Sequence, residues 1–225
     1  NGKTSSTYLL KTVLEKTLGA KVGLIGTIQN MIGDQVLETE RTTPESFELQ
    51  KLFYEMKQAG CTHVIMDVSS HSLVLDRVAG IRFQVGVFTN LTQDHLDFHK
   101  TMEEYRKAKA ILFRRCAIGV FNGDDEATPK ILETATCKPM TFGEKPENDL
   151  QAVAPILHSD GVEFTARYGE RRAHVHLGIP GAFTVYNALG VLGAALALGV
   201  SLEDAAAALE TAHGVKGRVE VVPTP

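Results

Sequence analysis

The segment Asn1–Ser6 constrains the fold of this chain more than any other, because its residues N-G-K-T-S-S contain a G-K-T triplet. That triplet closes the phosphate-binding loop pattern G-x-x-x-x-G-K-[ST], whose earlier part would precede Asn1. An apolar pattern of helical spacing then runs to Leu18, and residues 22–28 predict a buried strand. We therefore predict a P-loop followed by a helix, and a chain that begins inside that loop. The alternative is a plain helix N-terminus, since three-residue matches also arise by chance.

The residue types of this loop suit a nucleoside triphosphate and Mg²⁺. Gly2 allows the backbone to approach phosphate oxygens, and Lys3 supplies a positive charge for the β- and γ-phosphates. Thr4 offers a hydroxyl to Mg²⁺, and the N–H groups of the following helix point at the anion. We expect Asn1, Gly2, Lys3, Thr4 and Ser5 to bind ATP, and Lys3 to act in catalysis as well.

Composition excludes several classes of protein. At 225 residues and 44% hydrophobic, the chain can bury a full core. The net charge of −4 gives no basic surface for nucleic acid, and the longest apolar stretch, 190–200, is too short for a membrane span. Cys61, Cys116 and Cys137 are odd in number and widely spaced, which fits a reducing cytosol. We expect a cytoplasmic monomer that binds no nucleic acid and has no membrane span.

Strands and helices alternate up to about residue 145. Three short apolar runs, 63–68, 83–88 and 117–121, each end in a polar cluster. Buried parallel strands have this composition, and open α/β sheets bind ligands where their strands end. Thr43 followed by Pro44 predicts the start of an intervening helix. We predict an α/β fold of P-loop type, with a mostly parallel sheet flanked by helices and the site at one edge.

After about residue 148 the pattern changes to a small antiparallel section. Three strands joined by tight turns are predicted between residues 150 and 179. Two helices, predicted over 183–198 and 202–212, follow them. We predict one domain over 1–214 and a hinge towards a further domain over 215–225.

A helix predicted from Thr101 carries a lysine at the centre of its apolar face. Thr101 and Glu104 form a capping-box pattern, and Tyr105 and Phe113 belong to the stripe around Lys109. The stem of such a lysine often packs while its ammonium reaches solvent or a carboxylate. The alternative is a lysine held at a site with its charge altered or chemically masked. Periodicity alone favours the first interpretation.

Acidic and histidine side chains cluster after two of the predicted strands. Two Asp and two His lie within residues 94–99, where they would bind Mg²⁺ or Mn²⁺, act as acid–base groups or cap the following helix. Asp67, at the end of its strand, is the natural partner of a P-loop Mg²⁺, although a charged strand end is the simpler explanation. Ser69 and His71 suggest nucleophilic catalysis only weakly, because no G-x-S-x-G elbow surrounds them.

Eight motifs together carry a resemblance to one family. In their order and wording they resemble the Mur ligases, and the resemblance covers nearly the whole chain. The motifs are N-G-K-T-S-S (1–6), T-T-P (42–44), D-V-S-S-H (67–71), F-T-N-L-T-Q-D-H-L-D-F-H (88–99), A-K-A-I-L-F (108–113), N-G-D-D (122–125), Y-N-A-L (186–189) and G-V-K-G-R-V-E (214–220).

The resemblance implies an ATP-dependent amide ligase that adds an amino acid to UDP-MurNAc-L-Ala-D-Glu in peptidoglycan precursor synthesis, through an acyl phosphate. The chain would be its central domain, between an N-terminal domain for the UDP end and a C-terminal domain for the amino acid. That amino acid stays open: meso-diaminopimelate, lysine or another amine. The alternatives are another Mur-type ligase, a folylpolyglutamate synthetase, or a nucleotide-binding domain without catalysis.

The resemblance also implies roles for individual residues. Lys109 would be carbamylated by CO₂ and bind a second Mg²⁺ together with His95, which reverses the preference drawn from periodicity and places both residues in catalysis. Asp67 stands where the family usually has glutamate, so a metal ligand is kept but its reach is shorter. The implied contacts are Thr42, Thr43, Ser69 and Arg77 for the muramoyl-peptide, and Asn122, Asn187 and Arg218 for the nucleotide.

Overall fold

A computed structural model describes residues 1–92 and 99–215 of the chain. Within these residues, strands and helices alternate in the first part and give way to a run of strands before the last two helices. The strands are β1 Val22–Ile25, β2 Asn30–Ile32, β3 Gln35–Leu37, β4 His63–Met66, β5 Phe83–Phe88, β6 Cys116–Asn122, β7 Lys138–Gly143, β8 Leu150–Leu157, β9 Val162–Tyr168 and β10 Arg171–Leu177.

The helices connect these strands and cover both sheets that they form. A 3₁₀ turn, Ile111–Arg114, extends the fourth helix towards β6. The α-helices are α1 Lys3–Leu18, α2 Ser46–Gln58, α3 Ser70–Val74, α4 Met102–Ala110, α5 Thr128–Leu132, α6 Ala182–Ala197 and α7 Leu202–Leu209.

The first sheet has four strands in the order β3-β2-β1-β4. β1 is buried along its whole length, as expected for a strand covered on both faces. It runs parallel to β4, with Val22 opposite His63, and antiparallel to β2, with Gly23 opposite Ile32. β1 and β4 therefore carry their following loops, which begin at Gly26 and Asp67, to the same edge.

The second sheet has six strands in the order β10-β9-β8-β7-β6-β5. The pairs from β5 to β8 are parallel, and the pairs β8–β9 and β9–β10 are antiparallel. The predicted antiparallel section after residue 148 is thus confirmed, and β8 joins it to the parallel part. A register shift between Val153 and Ile156 marks an irregularity in β8.

Apolar side chains from helices pack against these sheets. α6 lies across β5 to β9 and contacts α1 and α7, so the largest core cluster lies between these helices and the second sheet. Leu49 and Met56 of α2 pack with Ile25 and Ile32 in a separate cluster. The predicted arrangement, an α/β fold with a mostly parallel sheet flanked by helices, is confirmed. Across the described ranges, no helix is both long and apolar enough to cross a membrane.

One local prediction is wrong, and one hairpin was not predicted. The helix expected to begin at Thr43-Pro44 begins at Ser46 instead, with Glu45 as its N-cap and a reciprocal capping box to Glu48. The hairpin of β2 and β3 is not predicted by the sequence pattern, because strands of three residues are too short to show a period of two. Gly33, at φ +62°, provides the left-handed residue of its turn.

Candidate active site

The G-K-T triplet lies at the start of α1, as predicted. Gly2 precedes the helix at φ +79°, a left-handed conformation, and a Cβ at this position would meet the side-chain amide of Asn187. The backbone angle therefore favours glycine here, and any Cβ would also displace the Asn187 amide. The helix then begins at Lys3, and its first backbone N–H groups face the loop.

Asn1 is held at the carboxyl end of β5. Its backbone nitrogen donates to Asn90 Oδ1 at 2.9 Å, and its carbonyl oxygen accepts from Thr89 Oγ1 at 2.8 Å. Asn90 Nδ2 donates to the same carbonyl at 3.2 Å. These contacts fix the loop against the residues that follow a strand, where open α/β sheets bind their ligands.

Asp67 follows β4 and faces Thr4. Its Oδ2 atom accepts hydrogen bonds from Thr4 Oγ1 at 2.9 Å and from Thr27 Oγ1 at 3.0 Å. The residue is 1% exposed, and its Oδ1 atom is buried without a hydrogen-bond partner. A buried carboxylate oxygen with no donor is costly unless a cation or another donor reaches it.

This arrangement fits Mg²⁺ between Thr4 and Asp67. Within residues 1–92 and 99–215, no cluster of three or more His, Cys, Asp or Glu side chains forms a metal site of its own. Mg²⁺ commonly takes one or two protein oxygens and fills its other positions with water and phosphate oxygens. The hydroxyl of Thr4 and the orphaned oxygen of Asp67 match that preference.

The residues expected to contact the muramoyl-peptide line one cavity of about 580 Å³ with Gly2, Lys3 and Thr4. The hydroxyl of Thr43 donates to the carbonyl of Asp67 at 2.8 Å and accepts from the backbone N–H of Ser69 at 3.1 Å. The structure thus brings the predicted P-loop residues and the predicted peptide contacts to a single opening. The predicted contacts that line it are Thr42, Thr43, Ser69 and Arg77.

Arg77 is anchored at the rim of this cavity. Its guanidinium lies 2.8 Å from Glu45 Oε1 and donates to the carbonyl of Thr43 at 3.2 Å. The Nε atom is buried without a partner. The same Glu45 caps α2, so the first turn of α2 and the arginine are positioned together.

Lys109 lies on α4, half-buried, with Nζ 5.0 Å from the centroid of the Tyr105 ring. That ring stacks on His99 at 5.0 Å, and His99 Nε2 lies 2.7 Å from Ser70 Oγ. Tyr105 and Phe113 are buried, so the predicted apolar stripe is present. A chain of stacked and hydrogen-bonded groups thus links Lys109 to α3, whose N-cap Ser69 lines the cavity.

The two asparagines expected near the nucleotide occupy different environments. Asn122, which ends β6, donates to the carbonyl of Thr89 at 2.9 Å and accepts from the N–H of Asp124 at 3.1 Å, so its side chain holds two strand ends together. Asn187 lies on α6 directly against Gly2. One residue earlier, Tyr186 donates to Asp124 at 3.1 Å, and burial raises the pKa of its hydroxyl.

Two expected site residues, His95 and Arg218, lie outside the described residues. Sequence reasoning missed two others, Thr27 and Asn90. Thr27 and Asn90 shortly follow β1 and β5, so the rule that ligands bind at strand ends is the signal that points to them. His71 lines the same cavity as Lys3, although it was considered only for nucleophilic catalysis.

Comparisons with known proteins show the family of the chain and its fold. The family profile described as Mur ligase middle domain matches residues 1–195. A relative from Clostridium botulinum, UDP-N-acetylmuramoyl-L-alanyl-D-glutamate--2,6-diaminopimelate ligase, is 49% identical over 99% of this chain and 46% of its own length. A ligase of the same name, numbered 1, from Clostridium acetobutylicum is 50% identical over the same shares. The chain thus spans about half the length of these relatives.

Solved structures share the fold. A UDP-N-acetylmuramoyl-L-alanyl-D-glutamate--2,6-diaminopimelate ligase superposes with a TM-score of 0.90 at 26% identity, over 100% of this chain and 47% of that one. MurF from Thermotoga maritima, solved in complex with ADP, has a TM-score of 0.75 at 18% identity, over 99% of this chain and 49% of that one. The profile match covers most of the chain, and the chain therefore belongs to the Mur ligase family.

Proposed function

We propose that this chain is the ATP-binding part of a ligase that adds 2,6-diaminopimelate to UDP-MurNAc-L-Ala-D-Glu in peptidoglycan precursor synthesis. The observation that carries the proposal is the single cavity shared by Lys3, Thr4 and the predicted peptide contacts. A phosphoryl donor and a carboxylate acceptor have to meet in such a place. The names of two relatives that are about half identical support the choice of substrate and amino acid.

The proposed reaction begins with attack of the substrate carboxylate on the γ-phosphorus of ATP. A new O–P bond forms while the bond from phosphorus to the β-phosphate oxygen breaks, so the products are an acyl phosphate and ADP. The amine of the amino acid then attacks the acyl carbon, phosphate leaves, and the amine loses a proton to give the amide. Lys3 offsets the repulsion between the two anions that the first step brings together.

We propose that Thr4 and Asp67 hold one Mg²⁺, and that His95 and a carbamate on Lys109 hold a second. Bound Mg²⁺ supplies positive charge to the phosphate oxygens as negative charge spreads over the transferred group. The orphaned oxygen of Asp67 supports the first site. The half-buried position of Lys109 beside Tyr105 supports the second, because CO₂ adds to a neutral amine and burial favours the neutral form.

Substrate contacts follow from the same cavity. We propose that Thr42, Thr43, Ser69 and Arg77 bind the muramoyl-peptide, with Arg77 facing its carboxylates. Asn1, Gly2, Ser5, Asn122 and Asn187 would line the nucleotide side, joined by Arg218 from the hinge that we place over 215–225.

We also propose that residues 1–214 form one domain and that other domains of the full-length protein bind the rest of the substrates. Further domains, one for the UDP end and one for the amino acid, would account for the remaining half of the relatives' length. A monomeric state stays a prediction, and so does a cytoplasmic location, which the three free cysteines support.

The test measures phosphate release and amide formation by the full-length protein with UDP-MurNAc-L-Ala-D-Glu and one amino acid at a time. We expect one phosphate per amide with 2,6-diaminopimelate, and at least about tenfold lower kcat/KM with lysine, because a site built for the second carboxylate loses its partner. Equal rates with both amino acids would contradict the proposed specificity. Turnover only with a folate or another Mur-type substrate would instead favour a sister ligase.

A further inference from the structure

Four side-chain oxygen atoms form a hydrogen-bonded cluster in the candidate active site. Thr27 Oγ1 lies at its centre, 3.0 Å from Asp67 Oδ2 and 3.2 Å from Thr42 Oγ1. Asp67 Oδ2 also accepts from Thr4 Oγ1 at 2.9 Å, and Thr4 Oγ1 lies 3.4 Å from Thr27 Oγ1. Thr27 therefore joins the proposed cation position to Thr42, one of the proposed peptide contacts.

The position of Thr27 is fixed by three strands. It comes two residues after Ile25, the last residue of β1, whose carbonyl accepts from the backbone N–H of Asp67 at 2.9 Å. The N–H of Gly26 donates at 3.3 Å to Oδ1 of Asn30, a buried side chain at the start of β2. Because β1, β2 and the end of β4 all anchor this loop, the fold itself holds the Thr27 hydroxyl beside Asp67.

Thr42 is likewise anchored to the residues that follow β4. Its neighbour Thr43 donates to the carbonyl of Asp67 and accepts from the N–H of Ser69. Thr42 and Thr27 both line the cavity of about 580 Å³ that also contains the G-K-T triplet. A group bound in this cavity can therefore contact Thr42, while Thr27 connects Thr42 to Asp67.

The single hydrogen of the Thr27 hydroxyl has two possible acceptors. A threonine hydroxyl donates one hydrogen bond and accepts with two lone pairs, so Thr27 donates either to Asp67 Oδ2 or to Thr42 Oγ1. A carboxylate bound at Thr42 would take the hydrogen of the Thr42 hydroxyl and leave its lone pairs to accept from Thr27. The hydrogen of Thr27 would then point at Thr42, and Asp67 Oδ2 would keep Thr4 as a donor but lose Thr27.

This change alters what Asp67 offers to a cation. Among the residues that the structure describes, its Oδ1 atom already has no hydrogen-bond partner, and the residue is 1% exposed. Loss of a donor at Oδ2 leaves more of the negative charge of this buried carboxylate uncompensated, and a cation then gains more by binding there. A carboxylate at Thr42 and a cation beside Asp67 would therefore each favour the binding of the other, because coupling between two sites is reciprocal.

We infer that Thr27 is a positioning residue that couples the peptide site to the nucleotide site. Its hydroxyl donates to Asp67 when no carboxylate is bound at Thr42, and it donates to Thr42 when a carboxylate of the peptide substrate is bound there. The inference rests on the proposed function, which places a peptide carboxylate in the cavity and a cation with ATP beside Asp67. It adds a route by which the binding of one substrate raises the affinity for the other.

The test measures the affinity of the full-length protein for UDP-MurNAc-L-Ala-D-Glu by calorimetric titration, with and without a saturating non-hydrolysable ATP analogue and Mg²⁺. No amino acid is added, so no ligation contributes, and the ratio of the two dissociation constants is the coupling factor. Thr27→Val removes the hydroxyl and keeps the branched shape, whereas Thr27→Ser keeps the hydroxyl. The matched control is Thr39→Val, because the Thr39 hydroxyl donates to the carbonyl of Arg41 at 2.8 Å, in the same loop as Thr42 but outside the cluster.

We expect Thr27→Val to lower the coupling factor at least about fivefold, and Thr27→Ser and Thr39→Val to stay within about twofold of the original protein. Thr27→Ala, a second variant without the hydroxyl, should behave as Thr27→Val. A hydroxyl that only supports the local fold would change the affinity for each ligand alone and leave the ratio unchanged.

Two kinds of failure can be told apart. An unchanged coupling factor in Thr27→Val and Thr27→Ala, or an equal loss in Thr39→Val, would overturn the inference while the proposed function stands, because the original protein would still bind both ligands. If the original protein did not bind UDP-MurNAc-L-Ala-D-Glu, the proposed function would fail and the inference with it.

Discussion

Gly2 carries the strictest requirement on a single residue in the site. It combines a left-handed backbone with the side-chain amide of Asn187, which would have to move to admit a Cβ. Gly19, at the other end of α1, has a similar backbone at φ +58° but nothing within 4 Å of a Cβ. A substitution at Gly19 therefore introduces backbone strain alone, whereas a substitution at Gly2 introduces backbone strain and a contact with Asn187.

Replacing Gly2 by alanine should weaken ATP binding by the full-length protein at least about tenfold, because the loop must shift away from Asn187. Gly19→Ala should cost about 1 kcal/mol of stability, the usual cost of a left-handed non-glycine residue, and leave ATP binding unchanged. Calorimetric titration with ATP and urea unfolding measure both variants. Equal losses of ATP affinity in the two variants would contradict the assigned role of Gly2.

Asp67→Asn should separate stability from function. The change removes a buried charge whose Oδ1 atom has no donor, so the protein without nucleotide should be as stable as the original or more stable. In the full-length enzyme, kcat/KM should fall at least about 100-fold, because the ligand of Mg²⁺ loses its charge. Thr27→Val, which removes one hydroxyl donor to the same carboxylate, should have a smaller effect. A magnesium titration of activity in which Asp67→Asn behaves as the original would refute this metal site.

Lys109→Ala should lower ligase activity of the full-length protein at least about 100-fold, if its carbamate holds a metal ion. Short carboxylic acids should restore part of the activity by supplying the missing oxygens. The control is Lys107→Ala on the same helix, since Lys107 is exposed and lies 3.6 Å from Glu103. Activity is measured by amide formation with and without added acid. Full activity in Lys109→Ala, or a similar loss in Lys107→Ala, would contradict the proposal that a carbamate on Lys109 holds a metal ion.

The sequence predicted part of this residue-scale picture. Lys3, Thr4 and Asp67 follow from a motif and from a strand end, which are local signals. The contact of Thr27 with Asp67 depends on β1 and β4 pairing side by side, and no local pattern specifies which strands pair. The contact between Asn187 and Gly2 likewise depends on how α6, which lies far along the chain, packs.

At the scale of elements, α6 shows how closely the helices approach the sheet. A Cβ on Gly193 would lie 2.6 Å from Val120 Cγ1 of β6, which is closer than packing allows. A Cβ on Gly190, on the same helix, would lie 3.4 Å from its nearest neighbours, Phe142 and Val87. Glycine thus has a packing reason at one position of α6 and not at the other.

Gly193→Ala should therefore destabilise the chain by about 1–3 kcal/mol, because Val120 cannot move without disturbing β6. Gly190→Ala should be neutral or stabilise by up to about 1 kcal/mol, as alanine usually does in a helix interior. Urea unfolding of both variants compares the two free energies of unfolding. A loss in Gly190→Ala as large as in Gly193→Ala would show that α6 does not pack as described.

Sequence patterns predict some of the helices and strands better than others. The long helices and the strands of the antiparallel section were predicted because each has several turns or alternations of periodic burial. The start of α2 was wrong because Thr43-Pro44 resembles a cap, whereas the hydroxyl of Thr43 is bound to Asp67 and Ser69 instead. Hydrogen bonds to the loop that follows β4 therefore replace a helix cap at Thr43.

At the scale of the whole molecule, the sequence predicted the fold class but not the division into two sheets. That division depends on which strands lie beside β4 and β5, and no local sequence pattern specifies which strands pair. The G-K-T triplet, the buried carboxylate of Asp67 and the cavity lined by Thr42, Thr43, Ser69 and Arg77 nevertheless lie at one edge, as expected for parallel strands. The proposed ligase places the phosphoryl donor and the carboxylate at that edge.

The central claim is that ATP bound at this edge phosphorylates a carboxylate of the second substrate. The most direct measurement uses UDP-MurNAc-L-Ala-D-Glu labelled with ¹⁸O in its free carboxylates, with the full-length protein and 2,6-diaminopimelate. The account predicts that each amide formed releases one phosphate carrying one ¹⁸O atom from the substrate, with ADP as the other product. Phosphate free of the label, or formation of AMP and pyrophosphate, would contradict it.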